Sequence, residues 1–318
     1  MAIKKYSLNV KNSEHARLDH FIAAELGIQL DKPVSRAKSR TLIQAGAVHL
    51  NGKRVMIASK PLFVGAKVEI YLDPEKLFGS EGLEKRQKFI FTADRILFED
   101  EVILVVNKPP GLPTQPTLDE ARDNFYQALH DFLKGRDGPD AYLGMHHRLD
   151  RDTSGVMVFA KSRAANPGLA QAFAGHEIQK TYHALTTSPA RSEKWTVKNY
   201  LAKETGPGKR SKMRAVRSGG DPALTEFKLV KKADRVCWIE ALPKTGRMHQ
   251  IRVHLSDSGM PILGDSLYGA PQDSVPRVML HAYSLRFPHP LTRKEILIST
   301  PDPEDFVRLW KKLVGNNE

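Results

Sequence analysis

His147-Arg148-Leu149-Asp150-Arg151-Asp152-Thr153-Ser154-Gly155 runs directly into the apolar stretch Val156 to Ala160. This order sets a carboxylate on a polar turn at the entrance of a buried strand. Thr153 and Ser154 can bond nearby backbone donors, and Gly155 can take backbone angles closed to other residues, so the turn can be stiff while Asp150 faces outward. An isolated Asp-x-Asp-Thr is more often an ordinary surface turn. What accompanies it along the chain decides its weight.

The chain has 318 residues, enough for about two domains, and 49 Lys and Arg against 36 Asp and Glu give a net charge of +13. Such an excess suits a polyanionic partner, whether RNA, DNA, an acidic protein or an anionic membrane. Cys237 is the single cysteine, which excludes an internal disulfide and a thiolate-built zinc site and fits a reducing compartment. The start, Met1 to Tyr6, lacks the apolar core of a signal peptide, and no stretch approaches the ~18 apolar residues of a membrane span. The expectation is a soluble, cytoplasmic protein that makes no membrane contact and acts as a monomer.

Charge is unevenly distributed. The first 72 residues hold 12 basic and 5 acidic side chains, a net +7, more than half of the total, and this marks a separate binding module. Arg17 to Ile22 opens an amphipathic helix, Ser35 caps a second helix that Gly46 ends, and two short strands flank Asn51-Gly52, the strongest two-residue hairpin signal. Arg36, Lys38 and Arg40 alternate on the second helix and fan over about half of its circumference. With Lys53, Arg54 and Lys60 close by, they suit phosphate tracking along RNA. Residues 73 to 90 lack apolar periodicity and read as a linker.

From residue 91 a larger domain of interleaved strands and helices is expected: strands at 102–106, 156–160, 178–186, 224–230 and 236–242, and helices around Phe125 to Leu133, Leu169 to Phe173 and Phe306 to Leu313. The irregular interleaving indicates an α+β fold with a mainly antiparallel mixed sheet, beside the small helix-hairpin module. Between Arg191 and Arg217 nine Lys or Arg face only Glu193 and Glu204, with Gly206-Pro207-Gly208 in the middle, so this stretch reads as a mobile basic loop. Its Gly208-Lys209 is no phosphate loop, because Lys203 stands where the first Gly is required and Arg210 where Ser or Thr is required. Lys209 and Arg210 are instead RNA-contact candidates.

The nine-residue turn resembles the His-Arg-Leu-Asp motif of the RluA-type pseudouridine synthases, and further landmarks follow in family order. They are Glu99 to Gly111 upstream, then Lys180-Thr181-Tyr182, Thr245-Gly246-Arg247-Met248-His249-Gln250-Ile251-Arg252-Val253-His254, Gly264-Asp265-Ser266-Leu267-Tyr268-Gly269 and Leu280-His281-Ala282. Met248 departs from the short polar residue common at that place. The N-terminal pattern looks like the ribosomal-protein-S-four-type RNA-binding domain. The resemblance divides the chain into that domain at 1–72, a linker at 73–90 and a catalytic domain at 91–318. It implies isomerisation of specific uridines in structured RNA, ribosomal RNA first and transfer RNA second, without metal or other cofactor.

In that reaction the bond from ribose to ring nitrogen breaks, the base turns, and a ring carbon rejoins the sugar. Asp150 is the implied catalytic residue, attacking the anomeric carbon or taking the proton of the neighbouring ribose carbon; the residues leave both routes open. An ionised carboxylate in a closed pocket needs a cation beside it, and Arg252, on a helix expected from Met248, Ile251 and Leu255, is placed to form a bidentate pair with Asp150. Tyr182 shares a strand face with Ile178 and Ala184 and points inward; the resemblance adds stacking on the target base. Arg148, two residues before Asp150, is poised to fill the RNA stack that the uridine leaves. His147, His249, His254 and His281 read as structural hydrogen-bonders rather than metal ligands. Asp150-Arg151-Asp152-Thr153 is also similar to the paired aspartates of magnesium-dependent phosphohydrolases, but those need an apolar strand before the first Asp, whereas here the strand follows.

Overall fold

The computed structural model describes residues 3–11, 17–74, 77, 89–116, 123–187, 192–204, 212–234, 236–270 and 275–315. The described residues through 77 fall in one compact unit and those from 89 onward in a second.

The smaller unit comprises β1 (Lys4–Asn9), α1 (Leu18–Leu30), α2 (Arg36–Gln44), β2 (Val48–Leu50), β3 (Lys53–Arg54) and β4 (Lys67–Leu72). The Ser35 side chain accepts the Lys38 N–H at 3.2 Å and so caps α2. Asn51 and Gly52 take φ of 50° and 77°, the left-handed pair that a tight hairpin turn needs. The strands line up in the order β1-β4-β2-β3, all antiparallel. Leu18, Ile22, Leu26, Ile43, Val68 and Ile70 make a core without solvent exposure. The pairing of β1 with β4 escapes a reading by hairpin signals because about sixty residues separate these partners in sequence.

In the larger unit the chain forms β5 (Ile96–Glu99), β6 (Ile103–Lys108), α3 (Phe125–Asp137), β7 (Gly144–Met145), β8 (Ser154–Ala160), α4 (Ala165–Ala174), β9 (Gln179–Thr187), β10 (Lys194–Lys203), β11 (Met213–Val216) and β12 (Asp221–Lys232). It continues through β13 (Val236–Pro243), α5 (Gln250–Asp257), β14 (Leu280–Pro288), β15 (Glu295–Ser299) and α6 (Glu304–Val314). The path of the mixed sheet is β11-β10-β12-β13-β9-β14-β8-β6-β5, with β15 on β14 and β7 on β8. Only the β14–β8 pairing is parallel among the described strands.

Strand β8 explains why the turn before it is rigid. All seven of its residues are buried, because alternate side chains feed two cores: Met157 and Phe159 pack with Phe125, Leu129 and Leu133 of α3, whereas Val156, Val158 and Ala160 pack with Ala165, Leu169 and Ala172 of α4. Each large apolar side chain so buried contributes roughly 1.5–3 kcal/mol. The strand cannot slide without dislodging both layers.

The segment Arg191–Arg217 is not a mobile loop over most of its length. Trp195, Val197, Asn199 and Leu201 alternate with exposed residues along β10, which pairs with β11 on one side and β12 on the other. Trp195 stacks on Phe227 at 5.1 Å. The charged residues sit on the solvent face, so counting charge hid a period of two. Lys209 and Arg210 lie outside the described residues.

Candidate active site

The Asp150 turn is fixed from outside itself. Thr114 Oγ1 donates to the Leu149 carbonyl at 2.6 Å and accepts the Leu149 N–H at 3.2 Å. Lys108, with no solvent exposure, donates from Nζ to the carbonyls of Pro109, Leu112 and Arg151 at 2.8, 2.7 and 3.1 Å. Arg277 reaches the Asp152 carbonyl at 3.3 Å and holds Asp305 in a bidentate pair. Burial lowers the Lys108 pKa to about 7 against the pull of Asp152 and Asp150, while three carbonyl acceptors stabilise its ammonium form. Gly155 has φ of 120°, and a Cβ there would lie 2.1 Å from the Ala282 carbonyl oxygen, so only glycine fits. Ser154 does not bond local backbone as expected: its hydroxyl meets His281 Nδ1 at 2.9 Å across the parallel β8–β14 seam.

Arg252 lies in the first turn of α5, buried at 8 % exposure. The expected bidentate pair with Asp150 does not form. Arg252 Nε and Nη2 donate to Asp265 Oδ2 and Oδ1 at 2.7 and 2.8 Å, which leaves Nη1 for Asp150 Oδ2 at 3.1 Å. Burial works against the Arg252 charge, but Asp265 and Asp150 outweigh it and raise its pKa. Among the described residues nothing hydrogen-bonds Asp150 Oδ1. That oxygen is open to a substrate.

His249 is a residue the sequence reading assigned to structure alone. It precedes α5 with φ of 55°, a left-handed conformation that costs a non-glycine residue energy and so points to a local purpose. Its Nε2 sits 3.7 Å from Asp150 Oδ2 and its Nδ1 2.8 Å from the Tyr268 hydroxyl. The Tyr268 oxygen accepts the Met213 N–H at 2.9 Å, so its own proton is free for His249 Nδ1, and the neutral imidazole then carries its hydrogen on Nε2, toward the carboxylate. Burial lowers the His249 pKa, countered in part by Asp150. The signal for His249, Asp265 and Tyr268 was present in the motifs that contain them.

Tyr182 on β9 faces the same space, as its strand phase implied. Burial, then the charge of Asp150, raises the Tyr182 pKa, so the phenol is protonated at neutral pH. Arg148 is exposed at the margin. A cavity of about 540 Å³ opens over Asp150, walled in part by Arg148, Lys180, Tyr182, His249 and Arg252. Ligand pockets of about 300–1,000 Å³ hold single small molecules. This one is of a size to hold a single nucleotide.

The other histidines have partners. His147 accepts the Val158 N–H at 3.0 Å and stacks on Phe173 at 4.8 Å; His254 joins Thr225 and Asn199 at 2.9 Å each.

In the smaller unit Arg36 and Lys53 are exposed, and Lys38 is half-buried. Arg40 and Arg54 have internal duties. Arg40 Nε donates at 2.9 Å to Asp19, which is wholly buried; burial alone would push that carboxyl up, but donation from Arg17 and Arg40 brings it down to about 2. Arg54 donates to the carbonyls of Gly46 and Ala45 at the end of α2, at 2.7 and 3.1 Å. Two of the five cations proposed to track phosphate, Arg40 and Arg54, thus also serve internal contacts.

Comparison with known proteins agrees with this geometry. The RNA pseudouridylate synthase family model matches residues 102–257, and the S4 domain model matches residues 17–68. The chain is similar to the uncharacterised RNA pseudouridine synthase YhcT of Bacillus subtilis, 36% identical over 68% of this chain and 71% of that protein. It is 35% identical to the ribosomal large subunit pseudouridine synthase D of Zymomonas mobilis over 70% of this chain and 73% of that one. Among solved structures, human RNA pseudouridylate synthase domain containing 4 superposes with a TM-score of 0.56 at 27% identity, covering 67% of this chain and 90% of that one.

Proposed function

The chain belongs to the RluA-type family of RNA pseudouridine synthases, and we propose that it isomerises specific uridines of large-subunit ribosomal RNA with Asp150 as the central carboxylate. The observation that carries the reading is the asymmetric hold on Asp150, which lines a nucleotide-sized cavity: Oδ2 is bonded by a buried guanidinium, and Oδ1 has no hydrogen-bond partner among the described residues. Oδ1 either bonds to C1′ as the N1–C1′ bond breaks, or removes the C2′ proton to give an enol ether. Arg252 keeps the carboxylate ionised and in place, while Asp265 fixes the guanidinium plane. Tyr182 stacks on the base, and Arg148 takes the place of the extruded uridine.

Ribosomal RNA is favoured over transfer RNA by the name of the Zymomonas relative and by the S4 domain. The division of labour follows from charge: residues 1–72 deliver RNA through Arg36, Lys38 and Lys53, with Lys209 and Arg210 adding contacts from the catalytic side, and residues 91–318 do the chemistry. Asp150→Asn is expected to abolish tritium release from RNA labelled at uridine C5 and to leave RNA affinity nearly intact, since phosphate contacts supply most of it. Turnover within about tenfold of the parent would remove Asp150 from this role. Pseudouridine mapping in ribosomal and transfer RNA, from cells with and without the protein, decides between the two substrates.

A further inference from the structure

Lys180 is a half-buried cation in the cavity wall for which the described residues supply no acceptor; Arg148, which also has none among them, is exposed at the margin. Arg252 is taken up by Asp265 and Asp150, and Arg247 donates to the Pro222 carbonyl at 3.1 Å. Lys180 is half-buried, and its ammonium makes no hydrogen bond or ion pair with a described residue; the Phe173 ring lies 5.7 Å from Nζ. Burial lowers its pKa. An ammonium with three donors and no acceptor is poorly solvated by protein. It is placed for a ligand.

Two features aim it at the bound base. Lys180 and Tyr182 are two residues apart on β9 and line one cavity, so their Cα atoms are about 6.5–7 Å apart, close to the width of one pyrimidine with its exocyclic oxygens. Gly246 lines the same cavity, and a Cβ there would lie 3.3 Å from Nζ. Gly246 has no left-handed backbone angle that would demand glycine. Its missing side chain leaves the ammonium uncovered.

The chemistry creates an anion at this place. When the N1–C1′ bond breaks, its electron pair stays on the ring, and the charge spreads over N1, O2 and O4. C1′ becomes bonded to Asp150 Oδ1, or doubly bonded to C2′ with the C2′ proton on Asp150. After the ring turns, C5 supplies the pair that bonds C1′; Asp150 recovers its own pair, or returns its proton to C2′. The C5 hydrogen then leaves as a proton while N1 gains one, so nothing is consumed. At that stage Asp150 is esterified or protonated and carries no charge, and no described acid neutralises Lys180.

We propose that Lys180 holds the detached uracil ring as its anion through contact with its oxygens while the ring turns, an inference that rests on the pseudouridine synthase reading of this cavity. Loss of one preorganised donor to a developing anion costs about 10²–10³-fold in rate. Single-turnover rates and RNA affinity are measured for the full chain carrying Lys180→Met, Lys180→Gln or Lys180→Arg, with folding checked by thermal melting. Met and Gln should each slow isomerisation by about 10²–10³-fold with affinity changed less than about threefold, and Arg should recover most of the rate. RNA with 5-fluorouridine at the target position gives a ring anion that is intrinsically more stable, so the penalty on glycosidic cleavage should shrink. Weakened affinity with an unchanged rate would make Lys180 a phosphate contact and overturn the proposal. So would an unchanged rate in all variants, or an equal penalty on the fluorinated RNA. A fully active Asp150→Asn protein would instead sink the reading of the cavity on which the proposal rests.

Discussion

Replacing Lys108 by Met tests how the Asp150 turn is held. Met fills a similar volume but donates nothing, so the carbonyls of Pro109, Leu112 and Arg151 lose their shared donor. Leaving these three part-buried carbonyls without that donor costs at most about 3–9 kcal/mol at about 1–3 each, against a gain of about 1.5–3 kcal/mol from burying an apolar side chain. Net destabilisation of a few kcal/mol is expected at pH 7. The pH dependence is more specific. Lys108 falls from 10.5 to about 7 in the fold, so between those values the unfolded chain holds a proton that the folded chain has released. Stability therefore rises with pH across that window. The parent should gain up to about 4 kcal/mol from this group between pH 7 and 10, and the variant nothing. Urea unfolding of both proteins at pH 7, 8, 9 and 10 measures the gap, which should widen with pH. Parallel curves would show that Lys108 keeps its proton in the fold, and a variant more stable than the parent at pH 7 would refute the clamp. Because one of the three carbonyls belongs to Arg151, the variant should also lose kcat with little change in RNA affinity.

Two further outcomes follow from other charges. His147 is lowered to about 3, and His254 and His281 to about 4, each first by burial; below pH 6.5 the unfolded chain takes up protons that the fold refuses, so near pH 5 stability should fall by about 4 kcal/mol per pH unit from about three protons, and a urea-midpoint series giving less than about 1 kcal/mol per unit would contradict their neutrality. Arg36→Gln with Lys53→Gln should flatten the plot of log affinity for natural RNA against log salt by about 0.7–0.9 for each phosphate no longer neutralised, without altering turnover at saturating RNA; an unchanged slope would show that these side chains do not meet phosphate.

The parts of this molecule that were legible in its sequence are those with short-range causes. The Asn51-Gly52 turn, the Ser35 cap and the strand 156–160 follow from local backbone preference and periodicity, and the structure contains each of them. The hairpin within Arg191–Arg217 was missed because charge density on its solvent face drew attention from the alternation beneath it. Lys108 was passed over because its acceptors are carbonyls, which a sequence does not display; the farthest of them, on Arg151, is 43 residues away. The strained backbone of His249 likewise leaves no mark in composition.

The meeting of Asp150, Tyr182 and Arg252 was expected from motif resemblance, yet the way Arg252 divides its donors was not, since a guanidinium on a helix can serve any carboxylate that the tertiary fold brings near. That division matters to the chemistry. A bidentate Arg252–Asp150 pair would have occupied both carboxylate oxygens, and a group that must bond to carbon or accept a proton would first have had to break a buried charge-assisted bond. Asp265 prevents this by taking Nε and Nη2 at 2.7 and 2.8 Å. One arm then suffices to hold Asp150 Oδ2, and Oδ1, on a residue that lines the cavity, has no partner among the described residues to displace.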